Sequence, residues 1–371
     1  MFSLKLNNML PWFLVDLKQL NVSINFPYNS SLYLLSLNTK MKRFLYKYMS
    51  LRDDFFTNPM IRATPALSLN DPFEGHFNEI QVKDASMNQL KFYRNCGLDA
   101  NDDPDEYQIN DSVGILQGDI SDLGIISLSE NYNNPLMWAH YADEHRGMVV
   151  EFDFNEPFFE DSISFNNGKR SRFGPNVLGD RYEYPEKVDY QRELPNFSRF
   201  ELSAPDTQDE YHWNKFFKTI LFTKSIDWIY EQEQRIVVPL KDADSIICND
   251  CQYIRDICSR DQSIKISPID NSRINITFPF TYEMNEPMGD QSIKNEIFFL
   301  TKHDKTTIHL FRINPYSIRS IYFGCKSDYH NSIILLNNHP LLNEHCNIYI
   351  MKKNTHMFQY DAHKLKSEKT T

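Results

Sequence analysis

Apolar and polar residues alternate with a period of two in run after run of this chain, the pattern of strands with one buried face. "FLYKYMS" (44–50) alternates in this way. "MIRATPALSLNDPFEG" (60–75) reads as a second strand running into a turn, with Asn70, Asp71, Pro72 and Gly75 as turn formers. "LGIISLSE" and "MVVEFDF" are apolar enough for buried strands, "YEYPEKVDY" is a short one, and "SIKISPI", "SIRSIYFG" and "NIYIMKK" follow later. "WIYEQEQRIVV", Trp228 to Val238, also reads as a strand, with Glu231, Glu233 and Arg235 on one face. Helical patterns are fewer. Residues 84–118 are polar and acidic and predict a short helix with an exposed insertion. Asn133–Asn134–Pro135 is a capped helix start running to about Arg146, with Gly147 as terminator. Residues 207–223 form an aromatic-rich amphipathic helix. The pattern predicts one α+β domain over 41–355, with central mostly antiparallel or mixed sheets flanked by helices. Residues 1–40 read as an N-terminal extension, with Met41 as an alternative start, and 356–371 as a flexible tail.

Composition narrows the classes. The chain has 371 residues, 41% of them hydrophobic, enough for one large domain or two smaller ones. Its 27 Phe and 20 Tyr against 11 Gly argue for packed structure over low-complexity disorder. A net charge of −11 repels polyanions overall, so nucleic-acid binding requires a local basic patch. The loop holding Lys169, Arg170 and Arg172 is the best such patch, for a phosphate or a nucleic acid, against the plainer reading of a solvated face. Six scattered cysteines and no clean secretory signal point to reduced thiols and a cytoplasmic location. "MLPWFLVDL" is too short to span a bilayer, and no membrane association is expected. Cys248, Cys251 and Cys258 lack the second close pair of a structural zinc site, so no metal is expected.

The charges of the Trp228–Val238 run carry the chemistry. Either the strand lies at an edge with that face in water, or the face looks into a site. Two carboxylates about 7 Å apart on one strand face suit a reaction that develops positive charge on a sugar carbon. In "WAHYADEHRG", His140 and His145 point about 140° apart on a helix and do not share a metal. Trp138, Tyr141, Ala142 and His145 form one face, either core or the wall of a pocket. Ser127 and Ser129 share a strand face, as core filler or as hydrogen-bonding partners of a ligand or a neighbouring strand. Asn70 and Asp71 either end a strand or offer polar atoms to a ligand. P-loop, dinucleotide-binding, zinc-protease and EF-hand motifs are missing, as is the nucleophile elbow of a hydrolase.

Five blocks in order, "LYKYMS", "NDPFEG", "ISLSENYNNPLMWAHYADEHRGMVVEFD", "TKSIDWIYEQEQRIV" and "IRSIYFG", together resemble the bacterial domain of unknown function twenty-nine seventy-one, from Phe44 to Gly324. The order of a strand with a basic residue, one with Ser-x-Ser and one with Glu-x-Glu is also similar to the Arg–Ser–Glu ADP-ribosyltransferases. That resemblance implies an ADP-ribosyltransferase-like core with NAD as substrate. Lys47 stands where that family has its NAD-anchoring arginine, Ser127 and Ser129 match the serine strand, and Glu231 with Glu233 match Glu-x-Glu. By the same likeness Glu233 stabilises the ribosyl cation, Glu231 serves the acceptor, and Tyr48 or Tyr141 stacks on nicotinamide. Two departures stand out: Lys for Arg, and Leu128 where a Thr is usual. The implied function is a mono-ADP-ribosyltransferase, an intracellular toxin or phage-defence effector on a protein or nucleic-acid acceptor, with a cognate antitoxin as a further partner. The alternative is a non-catalytic binding or sensor module of a bacterial defence or stress system. If the charged face looks into a site, Glu233→Gln is expected to leave folding almost unchanged.

Overall fold

Branched and aromatic residues dominate the central strands, and their cross-strand packing sets the sheet. The computed structural model describes residues 43–84, 87, 106–160, 163–165, 168–170, 184–196, 212–279 and 291–365. Its strands begin with β1 (Phe44–Met49), β2 (Met60–Pro65), β3 (Leu123–Ser129) and β4 (Met148–Asp153). Short pieces follow: β5 (Ile163–Phe165), β6 (Gly168–Arg170), β7 (Glu186–Lys187), β8 (Asp189–Gln191) and β9 (Thr223–Ser225). The C-terminal half supplies β10 (Glu233–Pro239), β11 (Ser245–Asn249), β12 (Lys265–Pro268), β13 (Arg273–Thr277), β14 (Ile308–Arg312), β15 (Ile318–Phe323), β16 (Asn347–Lys353) and β17 (Tyr360–Lys364). Most join one large sheet in the order β12-β13-β11-β14-β2-β3-β1-β4-β15-β16-β17, with β10 on β3 and β7 on β10. Within it only β15 and β16 run parallel. The expected mostly antiparallel, mixed sheet with helices is therefore present.

The sheet forks at β3. One edge of β3 pairs with β10 along its whole length. The other edge is shared, with β2 at Thr64↔Ile125 and β1 at Tyr46↔Ser129. Continuing either register brings Arg62 of β2 and Tyr48 of β1 level with Ser127. Two strands cannot occupy one edge, so they diverge there. The Ser127 carbonyl receives the Lys47 ammonium, Nζ to O 2.9 Å. Ile125, Ile126, Val150, Phe152, Ile236 and Phe311 pack the main core, while Tyr48, Trp138, Val149 and Tyr322 build a second cluster on the opposite side.

Four expectations need correction. Trp228–Val238 is not one strand: Ile226–Glu231 is a 3-10 helix capped by Ser225, whose hydroxyl accepts from Asp227 N. Gln232 then takes a left-handed φ of 47° before β10 begins. The helix that starts at Asn134 ends at Tyr141 rather than near Arg146. Asp143, Glu144 and His145 follow in left-handed conformation (φ 47°, 50°, 71°), because the chain doubles back to place His145 N on Trp138 O and Gly147 N on Ala142 O. Gly147 is required for close approach instead of helix termination: a Cβ there would lie 2.3 Å from Met49 O, and one on Gly324 2.1 Å from His145 O. The acidic segment holds a long helix, Glu106–Ser121, because Val113, Leu116 and Ile120 give it a buried stripe. Finally, part of the expected tail is strand, since β17 pairs antiparallel with β16 and Leu365 N reaches Ile348 O at 2.8 Å. The 1–40 extension lies outside the described residues.

Candidate active-site cleft

Register decides which side chains meet. β10 lies antiparallel on β3 with Glu233 opposite Ser129 and Arg235 opposite Ser127, so all four share one face. Tyr46 opposes Ser129 from the other side and joins them. Four further segments close over this face. The turn after β2 supplies Asn70 and Glu74, the helix Pro135–Tyr141 supplies Met137 and Tyr141, β9 supplies Lys224, and the 3-10 helix supplies Glu231. They enclose a cleft of about 150 Å³ at the fork of the sheet.

Local capping fixes these segments. The Asn134 side chain accepts from Leu136 N and Met137 N, and its amide donates to Tyr230 O at 2.7 Å, tying the helix to the 3-10 turn. Ser129 Oγ donates to the Glu231 carbonyl at 2.7 Å. Tyr48 donates its hydroxyl to Asn131 O at 2.8 Å. Tyr190 accepts from Glu233 N at 2.8 Å and so fixes the start of β10.

The floor is a buried charge network. Arg235, only 1% exposed, holds Glu233 through Nε to Oε1 at 2.9 Å and NH2 to Oε2 at 3.0 Å. It also donates to Glu74 and to the carbonyl of Leu221. The Lys224 ammonium lies 2.6 Å from Glu231 Oε2, 3.0 Å from Glu233 Oε2 and 3.2 Å from Glu74 Oε1. Tyr141 donates its hydroxyl to the other oxygen of Glu231 at 2.5 Å. Buried ion pairs require this many partners to offset desolvation. Burial alone would raise the Glu233 carboxyl, but Arg235 and Lys224 outweigh it and hold it down to about 2. Glu74 shares those cations less fully, and burial pushes its carboxyl up. Burial opposes charge on Lys224 too, yet Glu233, Glu74 and Glu231 keep its ammonium above the ordinary range. Burial lowers the Lys47 ammonium to about 8; Arg62 and Arg52 push the same way, against Glu233 and Glu231.

The charged face of the Trp228–Val238 run therefore does not lie in water. Glu231, Glu233 and Arg235 are all buried, although a left-handed residue separates the first from the other two. Lys47, Tyr48, Ser127, Ser129, Tyr141, Glu231 and Glu233 all line the cleft. Lys169 and Arg170 lie on β6, in a separate two-stranded sheet, and Arg172 lies outside the described residues. His140 is exposed, and His145 Nδ1 pairs with the Tyr360 hydroxyl at 2.9 Å. Sequence reasoning missed Lys224, Glu74 and Tyr190. Glu74 sits in the "NDPFEG" turn and Lys224 in "TKSIDW", but nothing in their spacing announces that tertiary structure brings them together. Among the described residues no group of three or more His, Cys, Asp or Glu is arranged to hold a metal ion. No described helix is long and apolar enough to cross a membrane.

Residues 137–236 match the model of a family described as "Protein of unknown function (DUF2971)". The matched span is shorter than the Phe44–Gly324 over which the sequence blocks run. It contains Tyr141, Lys224, Glu231, Glu233 and Arg235, whereas Lys47, Glu74, Ser127 and Ser129 precede it. No curated protein and no solved structure matches the chain.

Proposed function

We propose that the cleft takes the nicotinamide end of NAD and that the protein transfers the ADP-ribosyl group to a protein or nucleic-acid acceptor, as an intracellular toxin or phage-defence effector. The observation that carries this reading is the adjacency of β1, β3 and β10. It puts the basic residue Lys47, the Ser127–Ser129 pair and the two glutamates into one cleft, although they are drawn from segments far apart in sequence. A cleft of about 150 Å³ holds a single ring, so the nicotinamide would enter and the adenylate would remain outside.

In this reading the bond from ribose C1′ to the pyridinium nitrogen breaks, and its electron pair leaves with nicotinamide, which becomes neutral. C1′ is left as an oxocarbenium-like centre. Glu233 is held ionised by Arg235 and Lys224 and supplies a fixed negative charge, with no reorganisation needed at the moment of reaction. Glu231, oriented by Tyr141 and Lys224, takes the proton of the acceptor nucleophile as it bonds to C1′. Lys47 faces the anionic part of the substrate.

The test is incubation of the purified protein with labelled NAD and cell lysate, following nicotinamide release and label transfer. A wild type that does neither sinks the transferase. One observation favours a second reading: Glu233, Arg235 and Lys224 satisfy one another without any ligand, as they would in a binding or sensor module. Such a module would bind NAD, or a related nucleotide, in calorimetry and return it uncleaved.

A further inference from the structure

The cations around the cleft fall into two groups. Lys224 and Arg235 are committed to carboxylates on its floor. Lys47, Arg52 and Arg62 are not: among the described residues, no carboxylate pairs with any of them. Lys47 meets the carbonyl of Ser127. Arg52 donates through NH2 to Met60 O at 2.9 Å, while its Nε has no partner. Arg62 is exposed on β2.

Strand geometry places Arg62 beside the cleft. Thr64 lines it, and a residue two positions away on a strand presents its side chain on the same face, roughly 7 Å further along. β2 leaves β3 after Thr64↔Ile125, so Arg62, two residues back along β2, stands on the β2 side of the fork at whose apex Lys47 is docked on Ser127. Both Arg62 and Arg52 lie near enough to lower the Lys47 ammonium. In a chain of net charge −11, three neighbouring cations that no described carboxylate contacts as an ion pair make a local anion-attracting edge. The cleft is therefore bipolar, with carboxylates on its floor and cations outside any ion pair where the sheet forks.

We propose that Arg62, with Lys47 and Arg52 beside it, is the anion anchor of the cleft and takes the pyrophosphate of a dinucleotide whose other end is a cationic ring. The inference rests on the reading that the cleft binds NAD. It assigns the planar, always-charged fork to β2 rather than to the position of Lys47 on β1. A guanidinium grips two phosphate oxygens at once, whereas an ammonium acts as a point charge.

Calorimetry with inorganic pyrophosphate tests the anchor without any need for turnover. Arg62→Met is expected to weaken pyrophosphate at least tenfold and Arg62→Lys to restore part of the loss. Nicotinamide affinity and Tm should stay unchanged, because the side chain is exposed. Pyrophosphate binding that is equal in wild type and Arg62→Met, or absent from the wild type at millimolar concentration, overturns the proposal. A wild type that binds pyrophosphate through Arg62 but never cleaves NAD supports the anchor and removes only the transferase. NAD cleavage with an unchanged KM in Arg62→Met does the reverse.

Discussion

Replacing Glu233 by Gln tests whether the charge network holds the fold as well as the site. The substitution keeps size and one acceptor but removes the negative charge that faces two N–H groups of Arg235 and the Lys224 ammonium. It also adds an amide donor among donors. Arg235 cannot relax into solvent, being among the largest fully buried side chains. Breaking a buried pair by removing one partner costs about 3–5 kcal/mol. Glu74 remains on both cations and Glu231 on Lys224, so the lower end applies, about 3 kcal/mol. The direction of the carboxyl's shift agrees: Arg235 and Lys224 outweigh burial and favour its charged form, which Gln cannot supply. Urea denaturation of wild type and Glu233→Gln at pH 7 reads the difference. A loss under about 1 kcal/mol would refute the reasoning and return Glu233 to the role expected from sequence, a residue whose charge matters to chemistry alone. The double variant Glu233→Gln/Arg235→Met should be more stable than Glu233→Gln, since no unpaired guanidinium is left buried. Any activity lost in Glu233→Gln must therefore be read against its folded fraction.

Three further outcomes are expected. Anion affinity should fall as pH rises through about 8, where Lys47 loses its proton; Lys47→Arg should flatten that profile in calorimetric titrations of pyrophosphate. His309 is fully buried, and neither ring nitrogen finds a hydrogen-bond partner among the described residues. Burial lowers its pKa from 6.5 to about 4, with Arg62 adding to the effect. The unfolded chain takes up this proton near 6.5 and the folded chain resists it to about 4, so stability declines as pH falls through that window, by up to roughly 3 kcal/mol. His309→Phe should make the decline between pH 7 and 4 shallower in denaturation measurements, and an unchanged slope would show that His309 does not carry it. Gly324→Ala should cost about 1–3 kcal/mol in urea unfolding, because its methyl would meet the rigid backbone at His145; a loss below 0.5 kcal/mol would show that the turn yields.

Local pattern determined much of this protein. The period-two runs announced β1, β2, β3, β4, β15 and β16, and Asn134–Pro135 marked a helix start, because a strand's pleat and a helix cap are short-range physics readable over a few residues. The candidate residues Lys47, Ser127, Ser129, Glu231 and Glu233 were visible for the same reason, as polar exceptions within apolar runs. Their assembly was not visible. The fork at Ser127 exists because β1 and β2 compete for one edge of β3, and neither contact is local: Tyr46 meets Ser129 and Thr64 meets Ile125 across long stretches of chain. Lys224 and Glu74 reach the site through β9 and the turn after β2, and no local spacing ties either one to Glu233. The left-handed break at Gln232 was hidden as well. A strand carried through Trp228–Val238 satisfies the alternation, but only the tertiary contacts of Ser129 and Tyr141 with Glu231 make the turn the lower-energy path. What burial and pairing do to a charge depends on what surrounds it in space. The same three residues, Glu231, Glu233 and Arg235, read along the chain as a face that water could cover, and in the folded protein they are the floor of a cleft.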